Sequence, residues 1–435
     1  MSQKRKIIGS ESQKDIVKMY STYVNKYKAS FFKKLGFGIV QGERDRFHVK
    51  MLEGTRKGQP PLDLIDCRTT GGVFNLGHRH PEIIKALKDG IDAGLDIGDH
   101  HLISEQRSLL AKKLAELLPG DISKTQYCVG GGEAIDLALK LARAITQRKK
   151  IISANRAYHG VTGFALGACA SNFKDIFLWG PSDFVQVPFG DIDAITKVID
   201  EDTAAVIFET IPATGGILIA PEGYFARVRE LCDDKGVIMI SDEVQTGLGR
   251  TGELWAIFGG LYEHEKVVPD IIVLAKGMSA GYYPIATCSY KPFIEEVFKD
   301  DPFLHISSTG GSELGCYVCR RMLDIISQPK FLEHVRKMGR EFRDGLNELK
   351  EKYSNIIVDV RGRGLMWGIE FINEVYGQVF TVYMIKNGIF ADYCGNNKAT
   401  NKLMPSLIIE SEDIDEVLKR FDIALSEYPK KKQEV

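Results

Sequence analysis

Charged side chains follow three apolar segments that are typical of buried strands. Lys276 comes directly after the apolar residues 271–275, and Asp242 follows the apolar residues 237–240 with only Ser241 between them. Glu209 ends a third segment of the same kind. A single charged residue in such a place is usually a surface cap. In open α/β sheets, however, ligands bind beyond the carboxyl ends of the strands, so three such ends together predict one shared crevice.

An amine and a carboxylate in one crevice suit an enzyme that holds an aldehyde cofactor. A partly desolvated lysine has a lowered pKa, so its amine can form a Schiff base with an aldehyde. Once freed, that amine can move a proton to or from the α-carbon of an amino substrate. A carboxylate keeps a pyridine nitrogen protonated, which lets the ring accept electrons. These residue types therefore predict pyridoxal 5'-phosphate as the cofactor, with Lys276 and Asp242 as catalytic residues.

A run of three glycines, residues 130–132, is the candidate phosphate site. It follows a predicted strand at 126–129 and precedes a predicted helix at 133–144. Glycine amides and a helix N-terminus together bind anions well. The run alone also fits a plain turn or a dinucleotide loop, although Ile135 departs from the GxGxxG spacing and no GK[ST] follows.

Tyr158 falls just after another apolar segment, residues 150–154. A ring in this position can stack on a pyridine ring, on the face opposite Val244. A tyrosine beyond a strand is more often a packing residue, so Tyr158 by itself does not identify a cofactor site.

The apolar segments are continuous rather than alternating, which is typical of strands that are buried on both faces. Helical patterns separate them, and the clearest begins at Pro221 and is closed by Gly236. The sequence therefore predicts the α/β class, with a mostly parallel sheet covered by helices. The strands that we expect are at 126–129, 150–154, 204–209, 237–241 and 271–275.

The last hundred residues have a different pattern, which predicts a smaller α+β domain. A long amphipathic helix at 331–349 precedes strand-like segments at 356–360 and 368–371 and a last helix at 413–428. The full length of 435 residues is enough for two domains. We expect an N-terminal segment that packs with the small domain, a large cofactor-binding domain and a C-terminal small domain, at 1–65, 66–325 and 326–435.

The bulk composition is that of an ordinary globular enzyme. The formal net charge is −1 and 44% of the residues are hydrophobic, so neither nucleic acid nor an anionic membrane is expected as a partner. No apolar run reaches the roughly 18 to 20 residues that span a bilayer, and residues 1–15 lack the apolar core of a secretory signal. Eight dispersed cysteines indicate reduced thiols and hence a cytoplasmic location.

No metal site is expected from the spacing of cysteines and histidines. Residues 316–319 have CxxC spacing, but no second pair completes a zinc site, so a core helix is the better prediction. His78, His80, His100 and His101 lack a third ligand at a convincing spacing and are expected to be polar loop residues.

These motifs together resemble the class III (subgroup II) aminotransferases of fold type I, the group of ornithine, acetylornithine and 4-aminobutyrate aminotransferases. The most specific segment is SDEVQTGLGRTG at 241–252, followed by LAKG at 274–277. The segments at 75–81 and 361–368 also resemble family motifs, so the resemblance covers nearly the whole chain. It implies a seven-stranded-type sheet in the large domain, pyridoxal phosphate, and a homodimer that can associate further into a dimer of dimers.

The resemblance also implies roles for individual residues. Lys276 would form the Schiff base and Asp242 would contact the pyridine nitrogen. Val244 would pack on the ring, and Gln245 would lie near the 3-hydroxyl. Glu209 matches the first glutamate of the family's E-P-x-Q-G-E segment. Four further residues would bind the phosphate, the last two across a subunit interface: Gly131, Gly132, Ser308 and Thr309.

Three departures from the family pattern concern the substrate. Where ornithine and 4-aminobutyrate enzymes often have arginine after Y-H-G, this chain has Val161. The second glutamate of E-P-x-Q-G-E is replaced by Thr214, and the arginine before the family's P-P-L segment is replaced by Lys402. A lysine lacks the planar fork with which arginine binds a carboxylate at two points. These changes disfavour 4-aminobutyrate, ornithine and acetylornithine as substrates.

The leading hypothesis for the reaction is a ping-pong transamination between an amino acid or amine and a 2-oxo acid. The cofactor machinery alone does not determine which step comes after carbanion formation, so an amino-acid racemase or epimerase is the main alternative. A phospho-lyase and an aminomutase are further alternatives. A cofactor-free homologue with a structural role is disfavoured by the intact pair of Lys276 and Asp242.

Overall fold

The computed structural model describes residues 11–34, 40–53, 60–178 and 182–428. Residues 1–10, which belong to the segment where we expect no secretory signal, lie outside the described residues. So does part of the predicted N-terminal segment 1–65. Within the described ranges, none of the helices combines the length and the apolar composition that a membrane span needs.

The described strands belong to three sheets. In chain order they are β1 Gln41–Asp45, β2 His48–Met51, β3 Asp63–Asp66, β4 Lys124–Cys128, β5 Lys150–Ala154, β6 Phe184–Val187, β7 Thr203–Glu209, β8 Ile238–Asp242, β9 Ile271–Leu274, β10 Ala286–Tyr290, β11 Ile357–Arg363, β12 Met366–Phe371, β13 Ile389–Phe390, β14 Asp392–Cys394 and β15 Asn397–Leu403. The sheet orders are β1-β2-β3-β13, β4-β10-β9-β8-β7-β5-β6 and β11-β12-β15-β14.

Helices of very different length connect and cover these sheets. The α-helices are α1 Gln13–Tyr23, α2 Lys26–Lys34, α3 Thr69–Gly72, α4 Pro81–Asp92, α5 Glu105–Leu117, α6 Gly131–Thr146, α7 Gly163–Ala168, α8 Ser171–Lys174, α9 Ile192–Val198, α10 Tyr224–Lys235, α11 Glu313–Ile326, α12 Pro329–Lys352, α13 Glu374–Lys386 and α14 Ser411–Glu427. Short 3-10 helices are at Asp175–Phe177, Lys276–Ser279 and Pro292–Phe298.

The seven-stranded sheet is mostly parallel, as predicted. Strands β6, β5, β7, β8 and β9 pair in parallel, and β10 runs antiparallel between β9 and β4. Alternate residues of each strand belong to different cores: Ile271 and Val273 pack in the cluster that contains α6, whereas Ile272 and Leu274 pack in the cluster on the other face. Both faces of the sheet are therefore buried, which explains why the strands have continuous apolar sequences.

The C-terminal residues form a separate antiparallel sheet, β11-β12-β15-β14, that packs with α12, α13 and α14. Its core includes Phe342 and Phe421 from the helices and Trp367 from β12. The N-terminal strands join this region because β3 pairs in parallel with β13. Helix α12 extends a few residues beyond its predicted bounds at both ends, whereas α14 begins at Ser411 rather than at 413 and ends at Glu427 rather than at 428.

The five predicted strands are all present, with ends displaced by one or two residues. Two strands of the seven-stranded sheet were not predicted. Strand β6 is short and only partly buried, and β10 carries Thr287 and Ser289, which interrupt the apolar run. One helix start was wrong: α10 begins at Tyr224 rather than at Pro221, because Gly223 has a φ of 78° and cannot continue a helix from Pro221.

Candidate active site

A cavity of about 460 Å³ lies at the carboxyl ends of β7, β8 and the neighbouring β9. Its walls include Glu209, Asp242 and Lys276, so the three strand ends converge as the sequence predicted. The pairing explains the convergence, since Glu209 lies opposite Asp242 and β9 pairs with the other edge of β8. A volume of this size is typical of small-molecule sites.

Lys276 follows β9 with an unusual backbone. Its φ is 45°, in a region that residues other than glycine rarely adopt and that is often found at functional sites. Burial lowers the pKa of Lys276, while the carboxylates of Asp242 and Glu209 oppose that shift and the charge of Lys402 adds to it. The lowered pKa favours the neutral amine, which is the form that attacks an aldehyde.

Asp242 is fixed by two contacts that use both of its carboxylate oxygens. Its Oδ1 accepts a hydrogen bond from the Val244 amide at 3.0 Å, and its Oδ2 lies 2.7 Å from Nδ1 of His159. Asp242 is only 4% exposed and His159 only 3%. In the neutral imidazole, Nδ1–H would donate to the carboxylate and hold it in one orientation.

His159 was missed as a site residue by sequence reasoning. It stands beside the predicted Tyr158, but its partner is 83 positions further along the chain. Its Nε2 is buried and has no hydrogen-bond partner among the described residues. The only signal in the sequence is its place after β5, where the parallel sheet directs a side chain towards the same crevice as Asp242.

Glu209 ends β7 and is buried beneath the loop that carries Tyr158. Its Oε1 accepts from the Tyr158 amide at 3.0 Å, and its Oε2 accepts from the Ala213 amide at 3.2 Å. Burial raises its pKa to about 7, with Asp242 adding to the rise and His159 opposing it. Glu209 therefore positions the backbone on either side of the cavity.

The glycine run forms the first turn of α6. Gly131 and Gly132 are the first two helical residues, and Gly130 precedes them in an extended conformation. A Cβ on Gly132 would lie 2.8 Å from Thr162 Oγ1, and a Cβ on Gly160 would lie 2.7 Å from the Gly132 Cα. The loop after β5 thus closes against this turn, with free amides and the positive helix end facing the cavity.

The other predicted ring contacts also line the cavity. Val244 and Tyr158 are both in its wall, together with Gln245. Oε1 of Gln245 is buried and has no hydrogen-bond partner among the described residues. The Tyr158 ring also meets Phe173 edge to face, with the centroids 5.0 Å apart, so its orientation is supported from behind.

Ser308 and Thr309 are not part of this cavity. Both are exposed, in the segment between the 3-10 helix Pro292–Phe298 and α11, and neither is among the residues that line the pocket of the same chain. This placement differs from that of the other predicted site residues. It leaves both hydroxyls available to another molecule.

The three departures from the family pattern have distinct environments. Val161 is exposed, and Oγ1 of Thr214 is buried without a partner among the described residues. Lys402 is not free: its Nζ lies 3.4 Å from Oδ1 of Asp392, whose Oδ2 accepts from Nε of Arg68 at 2.8 Å. A carboxylate of this chain therefore already pairs with Lys402, and Arg68 shares it.

The donor set of the cavity fits pyridoxal phosphate. A buried amine with a lowered pKa, a fixed carboxylate and a glycine-lined helix N-terminus are the three groups that an aldehyde, a pyridine nitrogen and a phosphate need. The unpartnered Oε1 of Gln245 provides an acceptor for a ring hydroxyl. The fold and the site together define a pyridoxal phosphate-dependent enzyme of fold type I.

Comparisons with known proteins give the family. The aminotransferase class-III family profile matches residues 58–425. A relative from Archaeoglobus fulgidus, named as an uncharacterized aminotransferase, is 48% identical over 407 residues, or 94% of this chain and 93% of the relative. The chain belongs to the class III aminotransferases and is a pyridoxal phosphate-dependent transaminase.

Solved structures agree with this fold. An ornithine aminotransferase from Toxoplasma gondii, described with partial occupancy of pyridoxal phosphate, is 25% identical with a TM-score of 0.85 and covers 99% of this chain and 98% of its own. The acetylornithine aminotransferase of Elizabethkingia anophelis is 26% identical with a TM-score of 0.75, and the match covers 92% of this chain and 99% of that chain. The racemase, phospho-lyase and aminomutase alternatives gain no support from these relatives.

Proposed function

We propose that Lys276 and Asp242 carry the transamination of an amino acid or amine with a 2-oxo acid, by a ping-pong route. The main support for the proposal is the convergence of the buried Lys276 amine, the fixed Asp242 carboxylate and the glycine turn on one cavity. When bound there, pyridoxal phosphate supplies an aldehyde and an electron-accepting ring.

Each residue has a task that its contacts support. Lys276 would hold the aldehyde through Nζ and would move a proton at the substrate α-carbon when its amine is free. Asp242 would keep the ring nitrogen protonated, with His159 holding the carboxylate in its orientation. Gly131 and Gly132 would hold the phosphate through their amides, Val244 and Tyr158 would pack against the ring, and Gln245 would accept from the 3-hydroxyl.

Borohydride fixation tests the role of Lys276. Reduction of the holoenzyme should attach the cofactor to the peptide that contains Lys276, as read by mass spectrometry. Lys276→Ala should lose this adduct and fall in rate by at least about 10² to 10⁴, because the proton-transfer group is gone. Lys402→Ala is the control, since it should keep the adduct. An adduct on another lysine in the wild-type enzyme would overturn the assignment.

The substrate preference depends on the balanced charge at Lys402. A carboxylate that approaches Lys402 must compete with Asp392, and the ammonium offers no bidentate fork. We therefore propose that this position contributes little to carboxylate binding, and that ornithine, acetylornithine and 4-aminobutyrate are poor donors. A panel of amino donors, scored by the spectral change of the cofactor and by chiral analysis of the recovered donor, tests this point.

We further propose a homodimer with shared active sites. The support is the exposure of Ser308 and Thr309 outside the cavity of their own chain, together with the family pattern of this segment. In such a dimer their hydroxyls would reach the phosphate of the neighbouring subunit. Exposed apolar side chains in the same region, Phe303, Leu304 and Ile306, are the kind that an interface covers.

Complementation between two inactive variants tests the shared site. Lys276→Ala lacks the amine, and the double variant Ser308→Ala/Thr309→Ala lacks the hydroxyls given to the partner. Unfolding and refolding them together at equal amounts should restore activity to about a quarter of wild type, because half of the dimers are mixed and each has one intact site. If the mixture stays as inactive as either variant alone, each chain forms its own complete site.

Two coarser features complete the proposal. The predicted division at 1–65, 66–325 and 326–435 is supported by the separate antiparallel sheet near the C-terminus and by the β3–β13 pairing. A cytoplasmic location is supported by eight cysteines that are all free and buried. Limited proteolysis of the holoenzyme and fractionation of cells test the two statements.

A further inference from the structure

A cluster of three ligand-type side chains lies beside the phosphate turn but outside the catalytic cavity. Its members are Cys128, Glu133 and His305, and one ligand atom from each lies within 4.8 Å of the others. The Cys128 Sγ is 3.7 Å from Nε2 of His305. Cys128 is fully buried and the other two are half-buried, so this is an enclosed group rather than a surface patch.

Three different elements bring these side chains together. Cys128 is the last residue of β4, Glu133 is in the first turn of α6, and His305 is in the segment before Ser308 and Thr309. That segment lies against β4 because Gly310 lets it approach, since a Cβ there would be 3.1 Å from the Cα of Cys128. The transamination that we propose uses none of the three side chains.

We propose that Cys128, Glu133 and His305 form a binding site for a thiophilic divalent cation such as zinc. A thiolate, an imidazole and a carboxylate are the ligands that zinc prefers, with a water in the fourth position. Zinc–sulfur and zinc–nitrogen bonds of about 2.3 and 2.1 Å place the two donor atoms about 3.6 Å apart in a tetrahedron. The observed separation of 3.7 Å needs almost no movement.

Each of the three side chains has an atom that can bind the metal. Oε2 of Glu133 accepts a hydrogen bond from the Val129 amide at 2.8 Å, so the other carboxylate oxygen is the one that we assign to the metal. Nε2 of His305 lies 3.2 Å from the Tyr127 carbonyl oxygen and 3.7 Å from Cys128 Sγ. With the ring proton on Nδ1, Nε2 has a lone pair, and rotation of the ring away from the carbonyl directs that lone pair to the metal. The thiol of Cys128 gives its proton to solvent as the sulfur–metal bond forms, so the step balances without a redox partner.

A bound cation would fasten the Ser308 segment to the phosphate turn. The metal would then bind His305, which precedes Ser308, and Glu133, which lies in the phosphate turn. Binding of the metal is thus expected to stabilise the folded chain by mass action and to limit the motion of the segment proposed to reach a neighbouring subunit.

Cobalt substitution of the holoenzyme tests the site. After dialysis against chelator, Co²⁺ should bind at one ion per chain with strong red ligand-field bands, at wavelengths beyond those of the cofactor, together with a sulfur-to-metal band. Zinc should displace it and abolish both. Cys128→Ser should lose the bands, and Cys288→Ser, a buried cysteine on β10 outside the cluster, should keep them.

A second variant keeps the test decisive if Cys128→Ser does not fold. His305→Gln should weaken Co²⁺ binding at least tenfold while the apo-protein retains its thermal midpoint. A second candidate group, Asp99 with His100 and His101, has no sulfur and gives no sulfur-to-metal band. The site does not exist if the wild-type holoenzyme shows no such band, or if Cys128→Ser and His305→Gln bind Co²⁺ as the wild type does.

Discussion

At the scale of single residues, the site depends on pairs that hold one another in place. Asp242 has both oxygens engaged, by the Val244 amide and by His159, before any ligand arrives. A carboxylate that is already oriented loses little conformational freedom when it binds a ring nitrogen. It is therefore in the right position for most of the time. His159 is therefore a positioning residue, and its contribution can be measured.

Replacing the His159 side chain separates its hydrogen bond from its bulk. His159→Phe removes the donor to Asp242 and should lower kcat by about 10²-fold, because a displaced carboxylate holds the ring poorly. His159→Asn keeps an N–H near the Nδ1 position and should recover most of that loss. Steady-state kinetics on cofactor-saturated enzyme checks both, with KM expected to change little. Equal loss in the two variants would mean that the hydrogen bond is unimportant.

The Lys402–Asp392 pair gives a prediction about substrate binding. Asp392→Asn removes the carboxylate that balances Lys402, so the ammonium becomes available to a substrate carboxylate. The KM for the 2-oxo acid acceptor should fall by up to about tenfold, which corresponds to roughly 1.4 kcal/mol. Asp422→Asn, which breaks the exposed Lys352 pair, is the matched control and should leave KM unchanged. An unchanged KM in Asp392→Asn would place Lys402 outside the substrate path.

At the scale of elements, the proposed phosphate site depends on two segments that approach closely. The loop after β5 reaches the first turn of α6 at Gly160, where only glycine leaves room. The approach brings the helix N-terminus, its free amides and the loop that carries Tyr158 to one wall of the cavity. The site is thus a property of the packing between β5, its loop and α6.

Substitution of Gly160 tests this packing. Gly160 has a φ of 122°, and a Cβ would lie 2.7 Å from the Gly132 backbone, so Gly160→Ala should cost about 2 to 4 kcal/mol of unfolding free energy. Gly94→Ala is the control, because Gly94 also has a positive φ but nothing lies within 4 Å of its Cβ position. It should cost only about 1 kcal/mol. Denaturant unfolding measures both, and equal costs would contradict the close approach.

At the scale of the whole molecule, stability should respond to pH through Glu209. Burial raises its pKa to about 7 in the folded chain from an ordinary value of 4.5. The folded state therefore binds more protons than the unfolded state between these values, so stability falls as pH rises from 4.5 to 7 and changes no further above 7. The whole contribution is about 3 kcal/mol.

Glu209→Gln cannot titrate and should lack this slope. The test compares the unfolding free energy of the cofactor-free wild type and variant at pH values from 4.5 to 8. The wild type should lose about 3 kcal/mol more than the variant over this window. Parallel curves would mean that the Glu209 carboxylate keeps its ordinary pKa in the folded protein.

Most of the large sheet could be predicted from the sequence. The strands that are buried on both faces appear as unbroken apolar segments, so β5, β7, β8 and β9 were found almost to the residue. Strand β10 was missed because Thr287 and Ser289 break the pattern even though they are buried. Burial of such hydroxyls depends on neighbours from other strands, which a local pattern does not contain.

The sequence by itself determined the cofactor and predicted the groups that we propose act on it, because Lys276, Asp242 and the glycine run must stand at strand or helix ends to do that chemistry. Only the tertiary structure decided which distant side chains lie beside one another. His159 is 83 positions from Asp242, and His305 is 177 positions from Cys128. Their proximity is set by how strands and loops pack in three dimensions, and a side-chain pair of this kind leaves no period or spacing in the chain.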